Sequence, residues 1–345
     1  MISKNSILSL FATISVLLML QSCGENGSSG NTTDDTQTDS GLPPCEHVAV
    51  VENCTDGFCR IPAGCFIGGS PEDEWGHGLL SERLTTVTLT RDFFIGQFEV
   101  TQKQWTDAGF ANPSRFGPAG DGTCAEDNCP VENINWFEAA AFANRMSERH
   151  DPPLPLCYTL TGCTGEPGNN YTCEGVQITG ESIYDCEGFR LPTNAEWEYA
   201  TRAGTCTAFY NGGDIAPPPD PVPDCVVDDD LDPIAWYCNT SGGHTHPVGQ
   251  KTPNAWGLYD PSGNVMEHIH DQATGLGYPG EEGLSAVMDP VDPFEPASHM
   301  YTERDFRGGN YRSYPNVCRP SSCYAIGWLS KSSGGGMRLA RTAQE

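Results

Sequence analysis

Phe189-Arg190-Leu191-Pro192-Thr193-Asn194-Ala195-Glu196-Trp197-Glu198-Tyr199 changes character at its middle. Pro192 biases the residue before it toward extended backbone, so Arg190 to Thr193 reads as an extended lead-in. Thr193 with Glu196 three residues on is a capping box, and Trp197, Ala200 and Ala203 then recur at helical spacing until Gly204. Asn135-Trp136-Phe137-Glu138 opens a second helix by the same logic, followed by the stripe Trp136, Ala139, Ala140, Ala143 and Met146. Upstream, the segments from Leu84 and from Phe93 to Val100 alternate as strands do. Gly (39) and Pro (27) punctuate the remainder too often for long regular elements. The expected class is a loop-rich α+β domain.

The chain starts with an apolar run from Ile7 to Leu20, preceded by the charge of Lys4. That length suits a signal-peptide core better than a membrane span. The run ends in Leu20-Gln21-Ser22-Cys23, which resembles the lipobox of bacterial lipoproteins, so Cys23 is the expected site of cleavage and lipid attachment. Gly24 follows it in place of an aspartate, which leans the expected location toward the outer membrane of the cell envelope, on the periplasmic or cell-surface face. Gly24 to Pro44 holds no aromatic residue and cannot offset its ordering entropy by burial. The reading divides the chain into a signal peptide (1–22), a tether (23–44), a Cys-rich lead-in (45–60) and one large domain (61–342).

Sixteen cysteines less the lipidated one leave fifteen. Close spacings occur at Cys54 and Cys59, Cys124 and Cys129, Cys157 and Cys163, and Cys318 and Cys323. Outside the cytoplasm such a set reads as a disulfide framework, with zinc disfavoured by the lack of any Cys-x2-Cys. Residues 157–186, with four cysteines, read as a disulfide-tied insertion. An odd count leaves at least one thiol unbridged, and Cys318 is the first candidate. The balance of 18 basic to 46 acidic residues, net −28, argues against nucleic acid as a partner and suits calcium, which takes oxygen ligands.

Six blocks carry a resemblance. They are Ile61 to Ser70, Phe98-Glu-Val-Thr-Gln102, Pro130 to Trp136, Phe189 to Tyr199, Pro253 to Asp260 running into Gly263-Asn-Val-Met-Glu267, and Arg307-Gly-Gly-Asn-Tyr311 with Gly336-Met-Arg-Leu339. In this order they resemble the formylglycine-generating-enzyme, or sulfatase-modifying factor, family over residues 60 to 341. The resemblance implies a C-type-lectin-like variant fold with little regular secondary structure. It also implies a calcium loop whose ligands fall on Asp260, the carbonyls of Gly263 and Val265, and Glu267. Asn239 matches one position of the family's other calcium site, without an evident carboxylate partner.

The family's enzymes oxidise a peptidyl cysteine to formylglycine with copper, O2 and two cysteines spaced Cys-x4-Cys. Counted from Gly308, the first falls on Ser313 and the second on Cys318. A hydroxyl cannot replace a thiolate toward Cu(I). The family's tryptophan in Asn-x-Trp-Glu is Met266 here. Cys318 and Cys323 restore the spacing if five residues are inserted, and they are the catalytic and copper-binding candidates on that reading. They could equally form a disulfide. The histidine pairs His244-x-His246 and His268-x-His270 could chelate a metal from one face of a strand, but no third ligand is nominated. The leading expectation is a lipid-anchored module on the membrane, structurally tied by calcium, that binds a protein, peptide or glycan through loops near Arg307 to Gly336. The alternative is a formylglycine-generating oxidase, which alone would use copper.

Overall fold

The computed structural model describes residues 44–221, 223–279, 286–291 and 303–344. The expected cleavage and lipidation site at Cys23 and most of the tether lie outside them. In chain order the strands are β1 (Cys54–Thr55), β2 (Phe58–Ile61), β3 (Gly64–Gly68), β4 (Thr85–Leu89) and β5 (Phe93–Gly96). Helices α1 (Gln102–Asp107) and α2 (Trp136–Arg149) follow, then β6 (Tyr158–Thr161), β7 (Thr164–Glu166), β8 (Asn169–Thr172) and β9 (Gly175–Ile178). After α3 (Asn194–Arg202) come β10 (Met266–Gln272), β11 (Ala286–Met288), β12 (Glu303–Arg307), β13 (Cys323–Gly327), β14 (Gly335–Gly336) and β15 (Ala340–Thr342).

Short strands joined by long loops are what the Gly and Pro content leads one to expect. Two four-stranded sheets are ordered β1-β2-β5-β15 and β13-β12-β10-β14, and a three-stranded sheet is ordered β11-β4-β3. The Cys-rich lead-in enters the first sheet directly, since β2 pairs with β5 from Phe58↔Gly96 to Ile61↔Phe93. The strand expected to run to Val100 stops at Gly96. Beyond it the backbone turns inward, with the Gln97 amide on the Gly57 carbonyl (2.8 Å) and the Val100 amide on Met337 (2.9 Å).

Both expected helices form with reciprocal capping boxes, Asn135 with Glu138 and Thr193 with Glu196. Such a cap contributes about 1 kcal/mol by satisfying otherwise orphaned amides. The sequence reading did not anticipate α1, although Thr101 and Gln104 form a third capping box there. α2 buries Trp136, whose indole donates to the Ile269 carbonyl at 2.8 Å and so ties this helix to β10. Every residue of α3 is buried. Arg190 is fully buried and forked onto Glu196, with both contacts at 2.6 Å, so the lead-in to α3 is fixed by an internal ion pair.

Six disulfides have both ends among the described residues: Cys45–Cys65, Cys54–Cys59, Cys124–Cys129, Cys157–Cys186, Cys163–Cys173 and Cys225–Cys238. Two of these staple the 157–186 insertion as a closed unit. Cys157 therefore pairs across the insertion and not with nearby Cys163. Cys318 and Cys323 are both free thiols.

Candidate functional site

The loop from Asp260 to Glu267 is held from three directions. Asp260 and Asn264 have positive φ (57° and 56°), a conformation that Asp and Asn tolerate better than most residues. Gly263 has φ +83°, and a Cβ there would lie 2.4 Å from the Trp236 carbonyl oxygen, so glycine is required. From the second direction, the Gly263 amide donates to the Gly308 carbonyl at 2.7 Å. The glycines after Arg307 allow close approach at both positions. Backbone approaches backbone at Gly308, and at Gly309 an added Cβ would sit 2.7 Å from the Cys318 sulfur. From the third, buried Glu99 accepts from the Val265 amide (3.0 Å) and the Asn264 side chain (2.6 Å).

Glu267 ends the loop at 1 % exposure. Its Oε1 accepts from Arg338 Nη2 (2.7 Å) and Nε (3.0 Å), and its Oε2 from Arg338 Nε (3.0 Å) and the Trp197 indole (2.7 Å). Four donor contacts engage the carboxylate, so the residue nominated as a calcium ligand here holds an arginine. Asp260 differs. Its Oδ2 accepts from the Gly249 amide at 2.7 Å, while Oδ1 is buried with no hydrogen-bond partner. Burial, reinforced by the charge of Glu267, pushes the Asp260 carboxyl up to about 6, and burial with Asp260 and Glu267 pushes Glu99 up as well. Among the described residues no three His, Cys, Asp or Glu side chains converge as metal ligands. The nominated set therefore fits calcium in part: Asp260 has an open oxygen and Glu267 does not. Asn239 does find a carboxylate, donating to Asp232 at 3.0 Å.

Ser313, where the count from Gly308 puts the first enzymatic thiol, accepts the Asn310 amide on its hydroxyl at 2.9 Å and closes a turn. Cys318 is fully buried in an apolar cluster with Phe209, Tyr210, Leu231 and Tyr237. Burial pushes its thiol well up. Cys323 sits on β13 opposite Arg307 and lines a cleft with Asn194, Asp271 and Asp305. Burial and the neighbouring Asp305 also push that thiol up. The two sulfurs belong to different surroundings, which explains why they are not bridged.

Neither histidine pair forms a chelate. His244 and His246 stack, ring centroids 4.5 Å apart and planes 30° apart, so their in-plane lone pairs run nearly parallel. His246 stacks in turn on Trp236 at 3.8 Å. His268 and His270 are buried, contacting the Ile134 carbonyl (3.2 Å) and the Tyr158 hydroxyl (3.1 Å). The sequence reading missed Glu99 and Arg338 as partners of the loop. Each lay inside a quoted block, as a charged residue among apolar neighbours.

Residues 46–343 match the model of the sulfatase-modifying factor enzyme 1-like domain. The formylglycine-generating enzyme of Streptomyces coelicolor is 32% identical over 288 residues, 76% of this chain and 81% of that protein. A chaperone protein LppX of Paenibacillus barcinonensis is 34% identical over 199 residues, covering 52% of this chain. The aligned stretch spans 62% of that relative, under two thirds of its length. Among solved structures, Treponema denticola variable protein 1 superposes with a TM-score of 0.62 at 27% identity, covering 86% of this chain and 100% of that one. PvdO from Pseudomonas aeruginosa gives 0.57 at 21% identity, covering 86% and 99%, a likeness of fold alone. With this match running through nearly every described element, the chain belongs to the sulfatase-modifying factor family and has its loop-rich C-type-lectin-like fold.

Proposed function

We propose that this chain is an exported, lipid-anchored binding module that uses the sulfatase-modifying factor fold without its oxidase chemistry. The observation that carries the reading is the arrangement at Ser313. Its hydroxyl is committed to the Asn310 amide, and Cys318 and Cys323 face different surroundings with thiols pushed up by burial. Copper(I) held by two thiolates requires sulfurs that are deprotonated and close together. The residues present do not fit that ion. Export is supported by the six disulfides, which persist in oxidising compartments. The similarity to a relative named as a chaperone favours a binding role, and the lipobox-like Leu20-Gln21-Ser22-Cys23 would anchor the chain in the cell envelope, at the outer membrane. Calcium, on this reading, is structural: Asp260 Oδ1 and the carbonyls of Gly263 and Val265 would hold it, with Glu267 staying on Arg338.

A second reading is the formylglycine-generating oxidase, and one observation favours it: Cys318 and Cys323 are both unbridged. One experiment separates the two. The mature chain is incubated with Cu(I), O2 and a peptide containing Cys-x-Pro-x-Arg, then the peptide is weighed by mass spectrometry. The binding-module reading expects the thiol mass unchanged. Conversion of the cysteine to the aldehyde would overturn it.

A further inference from the structure

We infer that the cleft beside β13 is a peptide-docking groove for an extended segment bearing apolar side chains flanked by lysine or arginine. This rests on the binding-module reading and gives it a surface and a partner class. Strand β13 is the outermost of its sheet, so one side of its backbone has no strand neighbour among the described residues. An open edge of this kind is a template for an added strand, whose main-chain bonds give affinity while adjacent pockets give specificity.

The pocket is present. Cys323 and Ala325, alternate residues of β13, line a cleft of about 120 Å³ together with Leu276, Asp271, Asp305 and Arg307. Its floor is built from buried polar groups. Asn194 donates to Asp305 Oδ2 at 2.5 Å and accepts from Arg307 Nε at 2.8 Å, while its amide donates to Asp271 at 2.9 Å. Asp271 and Asp305 are 1 % and 7 % exposed. Arg307 is 5 % exposed, with Nε on Asn194 and Nη1 on Glu198, Pro320 and Ser321, which leaves Nη2 without a hydrogen-bond partner among the described residues. A guanidinium N–H lining the cleft beside carboxylates offers what a peptide needs, a donor for its carbonyl and acceptors for its amide or a basic side chain.

The rim supplies the apolar part. Leu79, Leu80 and Leu276 are 82 %, 50 % and 64 % exposed. The Gly277 amide donates to the Leu80 carbonyl at 2.8 Å, which keeps the two leucine-bearing loops side by side. Large apolar side chains gathered on one face mark a surface that something covers. The chain's net charge of −28 repels acidic segments and draws basic ones, which sets the flanking charge of the partner.

Fluorescence anisotropy on the full chain tests this with a labelled peptide of alternating valine and leucine flanked by lysines. Saturable binding is expected. It should weaken at least tenfold when the flanks are glutamate. It should weaken as much in Ala325→Arg, which blocks the cleft from an exposed position and should leave the melting temperature unchanged. No saturable binding of the lysine peptide would overturn the inference. So would equal binding by Ala325→Arg, or equal binding of the glutamate peptide. The copper and O2 assay reads a different outcome: aldehyde formation sinks the non-catalytic reading whatever the peptide does at β13, and a failed titration without turnover sinks the groove alone.

Discussion

The Glu267 carboxylate and the Arg338 guanidinium, 71 residues apart in the chain, meet at 2.7 Å with both side chains sealed from solvent. Arg338 also donates to the carbonyls of Gly96 and Tyr259 at 2.8 Å, so one guanidinium joins the calcium-candidate loop to the end of β5. Removing one partner strands a charge in the interior, which costs roughly 3 to 5 kcal/mol. Arg338→Met and Glu267→Gln should each lower the unfolding free energy by an amount in that range, read from the shift of the denaturant midpoint. A loss below about 1 kcal/mol in either variant would show that the pair is not what fixes the loop.

Calcium binding makes a separable prediction. If Asp260 supplies the open oxygen, millimolar calcium raises the melting temperature of the chain, and Asp260→Gly abolishes the increment whatever it does to the starting value. Glycine is chosen because it accepts the positive φ at this position. At a hundredfold excess over Kd the stabilisation is about 2.7 kcal/mol. Glu267→Gln, in contrast, should keep a calcium increment on a lower base. Melting curves of the three proteins that coincide with and without calcium would remove calcium from the account.

What was legible in the sequence follows from range. The capping boxes at Asn135 and Thr193 act over three residues, and both helices start where those residues place them. The extended lead-in at Arg190 was read as well, but not its ion pair with Glu196 six residues on. At Gly308 and Gly309 only glycine lets Pro261 and Cys318 come so close, and that demand is local to the pair. Glu99 reaches Val265 across 166 residues, and nothing local in Phe98-Glu-Val names that partner. Disulfide connectivity was not readable for the same reason: Cys157 chooses between Cys163 and Cys186 by where β6 and β9 bring their ends. The calcium assignment carried the family's loop over by position, but a ligand's availability depends on what else reaches it. Arg338 reaches Glu267 from the far end of the chain.

Glu132 gives the pH dependence. It is fully buried, its Oε1 accepts the Phe116 amide at 2.9 Å, and its Oε2 has no partner. Burial raises its carboxyl from 4.5 to about 8. The folded chain therefore keeps a proton that the unfolded chain releases. This contribution to stability is complete below the unfolded value near 4.5 and is lost as pH rises through about 8. Glu132→Gln, which keeps the acceptor for Phe116, should flatten the decline in unfolding free energy between pH 5 and 8, removing a slope of up to about 1.4 kcal/mol per pH unit. Parallel stability curves for wild type and variant across that range would refute the assignment.

The thiols provide the sharpest test of the site, because their two environments predict different chemistry. Cys318 is fully enclosed by the cluster around Phe209 and Tyr237, and Gly309 leaves no room beside its sulfur. Cys323 is half-buried and opens onto the cleft beside Asp305. Alkylation needs the thiolate, and the thiolate of each is disfavoured by burial, at Cys323 with Asp305 adding to it. Native protein treated with iodoacetamide should therefore label slowly at Cys323, faster as pH rises. Cys318 should stay unmodified until denaturant is added. Asp305→Asn removes the adjacent negative charge and should speed Cys323 labelling at fixed pH without exposing Cys318. Equal native labelling of the two cysteines would place them in one accessible site, which is the arrangement that copper chemistry requires and the Ser313 turn argues against.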